Sequence, residues 1–255
     1  MGEGEGGPIA APPPGPRPDA AGLDERAAHD FARCIAAGGV ALFPADTVYG
    51  LACDPDDADA VRRLYELKGR PPRQPAAVMF FALAPALAAL PELGPRTRGA
   101  LERLLPGPLT LLLPNPGDRW PLACRPAAVV EPSDAAGLGE APAPGNAAGL
   151  GAAPALGLRV PALPASLAAL AAVGRPVLQS SANISGEGEA RRLADVDAGL
   201  RAGVDLVLDG GELPGIASTV LDLRGYEEGR GWTVVRRGPV GEEEIALCLT
   251  IASSR

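Results

Sequence analysis

The stretch "GGVALFPADTVYGLACDP", Gly38 to Pro55, decides how this chain is read. Its two leading glycines stop a helical pattern that begins near Asp24 and ends at Ala37, glycine being the commonest residue past a helix C-terminus. The run Val40–Phe43 then reads as a buried strand. After Pro44 the sequence turns polar, and Asp46, Thr47 and Tyr49 precede Gly50. That arrangement places a polar tip on a rigid strand, where small-ligand pockets often lie. Asp56 or Asp57 next caps a helix with Val61, Leu64 and Tyr65 on one face. Helix, strand and helix in quick succession predict an α/β domain with a twisted mixed sheet flanked by helices.

Working outward, the same alternation continues. Strands are expected at Ala76–Phe81, Pro108–Leu113, Leu156–Val160, Pro176–Ser180, Val204–Leu208, Ser218–Leu223 and Trp232–Arg237. Helices are expected between Phe81 and Leu105, between Pro164 and Val173, near Val196–Ala202, and at the end of the chain. Residues 1–22 are Gly/Pro-rich and predicted to be disordered. Residues 23–255 are predicted to form one domain, carrying an Ala/Pro/Gly-rich insertion at about 115–156.

Composition narrows the function. The chain has 255 residues, 47% hydrophobic, enough for a sizeable core. Lys and Arg number 23 against 31 Asp and Glu, and the net charge of −8 gives no general attraction for nucleic acid. Aromatics make up 4%, too few for a base-stacking platform. The four cysteines, Cys34, Cys53, Cys124 and Cys248, have no zinc-ligand spacing, so they read as reduced packing thiols and no protein metal site is expected. The N-terminus has no apolar signal region, and no apolar run of about 18 residues exists to span a membrane. A cytoplasmic protein is expected.

Phosphate chemistry on such an acidic chain needs a local cationic cluster, and "LYELKGRPPRQP", Leu64 to Pro75, supplies one. Lys68 alone is explained by the helix dipole, which favours a cation in the last turn. Arg70 is not, because it lies past Gly69 and is followed by Pro71 and Pro72, which restrict its backbone. A cation ordered in advance loses less entropy when it grips an anion. The loop "QSSANISG", Gln179 to Gly186, follows a strand. Its residues suit an ordinary turn, and equally a set of donors facing phosphate oxygens. No P-loop motif is present. Arg159, inside the apolar "LGLRVPALP", must sit at an exposed strand end or be paired with an anion. The only histidine, His29, lies in the first helix, so no nucleophilic triad can be built around the polar loops.

In order, the segments "GGVALFPADTVYGLACDP", "LYELKGRPPRQP", "LLPGPLT", "LRVPALP", "SSANISG", "STVLDLR" and "VVRRGPV" resemble the YrdC/YwlC family of L-threonylcarbamoyladenylate synthases. The resemblance implies a YrdC-like twisted mixed sheet with a large concave nucleotide-binding cavity, in the short, single-domain form. It implies the conversion of L-threonine, bicarbonate or CO2, and ATP into threonylcarbamoyl-AMP and pyrophosphate, with Mg2+ accompanying ATP. The tRNA threonylcarbamoyl transferase machinery would take the product. The family's ATP-binding positions fall on Lys68, Arg70, Ser181, Asn183 and Arg236. Its threonine-binding positions fall on Thr47, Arg159, Ser181 and Ser218. No covalent nucleophile is implied. Three departures touch the threonine pocket: Ala45 stands where the family has a threonine, Met79 where some relatives have a histidine, and Arg191 where relatives can have a threonine. Two alternatives stay open: a carbamoyl-adenylate-forming carbamoyltransferase module and a non-catalytic RNA-binding relative.

Overall fold

The computed structural model describes residues 22–127 and 155–250; the predicted tail at 1–22, apart from Gly22, and most of the predicted insertion lie outside them. Among the described residues, nine strands form one mixed sheet: β1 (Ala41–Pro44), β2 (Tyr49–Cys53), β3 (Ala77–Met79), β4 (Leu109–Pro114), β5 (Ala155–Arg159), β6 (Val177–Ser181), β7 (Leu206–Val207), β8 (Thr219–Asp222) and β9 (Thr233–Arg236). Their order is β7-β1-β2-β6-β3-β5-β4-β8-β9. The β1/β7, β3/β5 and β4/β8 pairs are parallel and the rest antiparallel.

The helices bounded within the described residues are α1 (Glu25–Ala36), α2 (Ala58–Lys68), α3 (Leu83–Ala89), α4 (Pro95–Leu104), α5 (Pro121–Cys124), α6 (Ala198–Gly203) and α7 (Glu242–Thr250). In α1, Asp24 caps the N-terminus by accepting from the Ala27 amide, and Ala28, Phe31 and Ile35 form the buried stripe. Phe31 meets Phe43 and Phe81 at ring-centroid distances of 5.1 and 5.6 Å, which joins α1 to the sheet. Burying each such side chain contributes roughly 1.5–3 kcal/mol. The segment expected as a helix between Pro164 and Val173 is a 3-10 helix over Ala165–Ala172. Its buried residues, Leu167 and Leu170, are three apart, matching three residues per turn.

Two local readings differ from the sequence expectation. Tyr49–Cys53 is a second strand, paired with β1 on one side and β6 on the other. All five residues are buried, so the alternation that marks a half-exposed strand is missing. Residues 115–127, at the start of the predicted insertion, include α5, whose Ala123 and Cys124 are buried; the Ala123 carbonyl accepts from the Ala76 amide.

Helix α2 delivers two cations to the edge of the polar loops. Asp57 caps it, and its buried stripe runs Ala60, Val61, Leu64, Tyr65 and then Lys68. Lys68 is therefore on the apolar face, seven residues on from Val61. Gly69 closes the helix in the left-handed conformation at φ 57°, where a side chain would be strained. The Arg70 amide then donates to the Tyr65 carbonyl at 3.0 Å, which turns the chain back toward the sheet.

Candidate functional site

Lys68 ends α2 at 2% exposure, and its ammonium donates to the Ser181 carbonyl, to Ser181 Oγ at 3.2 Å and to Asn183 Oδ1 at 2.9 Å. All three partners are neutral. Burial, together with the nearby Arg70 charge, lowers the Lys68 pKa to about 8. The polar loop after β6 is thus bound to the helix end rather than forming an isolated turn. Within it, Ser181 Oγ donates to Asn183 Oδ1 at 2.6 Å, and the Asn183 amide nitrogen donates to the Glu187 carbonyl at 2.7 Å.

Arg70 is held by the proline segment that comes after it. Its guanidinium donates to the Pro75 carbonyl at 2.6 Å and the Gln74 carbonyl at 3.3 Å, and it lies 5.6 Å from the centroid of the Tyr65 ring. A fourth contact, 3.1 Å to Ser180 Oγ, reaches β6. Arg236, the last residue of β9, donates to the Ser218 carbonyl at 2.9 Å and Ser218 Oγ at 3.1 Å. Ser218 Oγ is also 2.8 Å from Thr110 Oγ1. Burial pushes the Arg236 pKa down, and the charge of Arg70 pushes it the same way, so these two cations lie within electrostatic range of one another. Among the described residues, none of Lys68, Arg70 and Arg236 forms an ion pair with a carboxylate, although most other arginines do.

Arg159 behaves differently. It is 4% exposed and pairs with Asp46 Oδ1 at 2.7 Å, so the second of the two sequence readings holds. Further bonds run to Thr47 Oγ1 at 3.1 Å and Gln179 Oε1 at 3.2 Å. Asp46 Oδ2 accepts from the Ala162 amide, which fixes the carboxylate from its other side. Burial lowers the Arg159 pKa, and Asp46 opposes that shift. The Arg159 Nε is buried with no hydrogen-bond partner. The sheet makes room here: Ala52, Ala77 and Gly157 share a rung with Gln179, so only short side chains flank it. Met79 is paired in register with Arg159 and is fully buried.

The structure therefore brings the sequence candidates together in three groups: Lys68 with Ser181 and Asn183, Arg236 with Ser218, and Arg159 with Thr47. Arg236 also acts electrostatically on Arg159, which makes the last two groups neighbours. Tyr49, expected at the polar tip, is buried instead, and its hydroxyl donates to Asp209 Oδ1 at 2.7 Å. Arg191 turns to Glu212 at 2.7 Å and the Leu213 carbonyl at 3.3 Å. Ala45 is buried in the core. Sequence reasoning placed Asp46 at the polar tip and Gln179 at the start of the polar loop without pairing either with Arg159, and gave no role to Thr110 or Glu189. Asp46 was findable, because a buried arginine demands an anion; Glu189 had no local signal. Among the described residues no group of three or more His, Cys, Asp or Glu could hold a metal ion, and no helix is long and apolar enough to cross a membrane.

A family model named Sua5_yciO_yrdC, described as "Telomere recombination", matches residues 33–138 and 140–238. A Xanthomonas campestris threonylcarbamoyl-AMP synthase is 34% identical over 187 residues, covering 72% of this chain and 84% of that protein. The Pyrococcus abyssi threonylcarbamoyl-AMP synthase is 29% identical over 212 residues, covering 83% of this chain. This chain spans about half the length of that relative, 54%. The crystal structure of P. abyssi Sua5 complexed with L-threonine superposes with a TM-score of 0.68 at 26% identity, covering 89% of this chain and 58% of that one.

Proposed function

The chain belongs to the Sua5/YciO/YrdC family, and from that premise we propose that it is an L-threonylcarbamoyl-AMP synthase, a nucleotidyl-transferring enzyme acting on L-threonine, bicarbonate or CO2, and Mg·ATP. One observation carries the reading. Lys68, Arg70 and Arg236 are ordered and bonded only to neutral acceptors on a protein of net charge −8. Cations held this way are ready for an external polyanion, because no internal carboxylate has to be displaced first.

In this reading Lys68, Arg70 and Arg236 hold the triphosphate, with Ser181 and Asn183 fixing the Lys68 ammonium between them. Arg159, through its unpartnered Nε, takes the threonine carboxylate, with Thr47 and Ser218 beside it. The threonine amine adds to CO2 and gives up a proton, forming a carbamate. A carbamate oxygen then attacks the α-phosphorus; the new O–P bond forms as the bond to the β-phosphate oxygen breaks, and pyrophosphate leaves with that electron pair. Such transfers need positioning and charge neutralisation rather than a covalent nucleophile. The product would serve a tRNA threonylcarbamoyl transferase. Incubating the protein with L-threonine, bicarbonate and Mg·ATP tests the reading by mass spectrometry. Threonylcarbamoyl-AMP and stoichiometric pyrophosphate are expected, and pyrophosphate release that does not depend on threonine would overturn it.

A further inference from the structure

Glu189 lies in the loop beyond Ser181 and Asn183, one residue before Ala190, whose carbonyl accepts from the Tyr49 amide at 3.1 Å. The loop is thereby tied to the start of β2. The Glu189 Oε2 atom is buried and has no hydrogen-bond partner. Its charge favours the protonated forms of Lys68, Arg159 and Arg236 together, so it stands among the cations of all three groups. It is bonded to none of them: the bonds of Lys68 and Arg236 go to neutral atoms, and those of Arg159 go to Asp46, Thr47 and Gln179, with Arg159 Nε left without a partner.

A buried carboxylate oxygen with no donor needs a partner from outside the chain. A triphosphate alone makes its position worse, since each phosphate adds negative charge beside it. The cation that a triphosphate brings resolves this. Mg2+ is commonly held by one or two carboxylates together with phosphate oxygens and water, and needs no cage of protein ligands. That fits a site with one carboxylate and no acidic cluster. We propose that Glu189 is the protein's own oxygen ligand for the divalent cation carried by ATP, so that this site selects the metal-bound nucleotide over the bare one. The proposal rests on the reading of the cationic groups as an ATP site.

The test is ATP binding by isothermal titration calorimetry, with Mg2+ and with EDTA, for the wild-type protein and Glu189→Gln, after thermal melting shows both folded. The wild type is expected to bind Mg·ATP more tightly than ATP. In Glu189→Gln the order changes. Mg·ATP weakens by about tenfold, the scale of one charge-assisted contact, while metal-free ATP binds more tightly than to the wild type because a repelling charge is gone. Glu189→Asp should keep part of the metal preference. With Mn2+ in place of Mg2+, the electron paramagnetic resonance signal of bound Mn·ATP is expected to differ between wild type and Glu189→Gln. If Glu189→Gln strengthens both forms by the same factor, Glu189 is only an internal anion and the proposal fails; unchanged binding of both forms also overturns it. Should the wild type bind no ATP under either condition, it is the nucleotide reading itself that falls.

Discussion

The Lys68 ammonium donates to Asn183 Oδ1 at 2.9 Å, joining residues 115 positions apart in the chain. This bond makes one site out of a helix end and a loop after a central strand. It also makes Lys68 a buried cation whose partners are all neutral, so any anion that arrives meets a full charge.

Lys68→Met should leave the fold intact and weaken the proposed nucleotide grip. Removing a buried ammonium relieves a desolvation cost, but it takes the ammonium donor from the Ser181 carbonyl, while Asn183 Oδ1 keeps its bond from Ser181 Oγ, so melting temperature should change little. ATP affinity should fall by about a hundredfold, the equivalent of one to two charge-assisted hydrogen bonds. Calorimetric titration of the variant against wild type measures this.

On the proposed ATP reading, binding should depend on pH through the same residue. The free protein's Lys68 pKa of about 8 lies below its ordinary 10.5, so below pH 8 the side chain is charged and above it the charge is lost. Phosphate favours the charged form. Affinity should hold below pH 8 and then fall by up to about tenfold per pH unit, with proton uptake on binding visible as a buffer-dependent enthalpy. Lys68→Arg should flatten this profile. For folding the sign is opposite: between pH 8 and 10.5 the unfolded chain holds more protons, so this lysine's contribution to stability improves as pH rises through that window.

Asp46→Ala should be strongly destabilising. It leaves Arg159, which is 4% exposed, without its 2.7 Å carboxylate partner, and it frees the Ala162 amide. Breaking a buried pair from one side costs about 3–5 kcal/mol. Urea denaturation is the measurement. The double variant Asp46→Ala/Arg159→Met should recover part of the loss while raising the KM for threonine, which separates stability from binding.

Gly238→Ala should cost about 1–3 kcal/mol by overpacking. A Cβ there would lie 2.4 Å from the Thr219 nitrogen and 2.5 Å from the Ala217 oxygen, and backbone atoms cannot swing aside. Because this contact holds the end of β9 against Ser218, ATP affinity should drop along with the urea midpoint. Gly174→Ala, with nothing within 4 Å of the new atom, should stay within about 0.5 kcal/mol of wild type.

Much of the fold was legible locally. Asp24 and Asp57 cap the helices they precede, Gly69 ends the second helix, and most strands lie within a residue or two of their apolar runs. The strand Tyr49–Cys53 escaped because it is covered on both faces and includes glycine and alanine, leaving no alternation to read. The burial of Lys68 was within reach: it falls four residues after Leu64 on the helix stripe, yet a lysine in a last turn is already explained by the helix dipole.

The sequence by itself determined the cationic corner at Lys68 and Arg70, the polar loop at Ser181–Asn183 and the family to which both belong, because motifs and caps depend on near neighbours in the chain. Only the tertiary structure decided that Asp46 neutralises Arg159, that Ser218 anchors Arg236, and that the buried Glu189 Oε2 has no hydrogen-bond partner. Those pairings arise from sheet order and register, which bring together residues far apart in sequence; periodicity records that a side chain is buried but not what it is buried against.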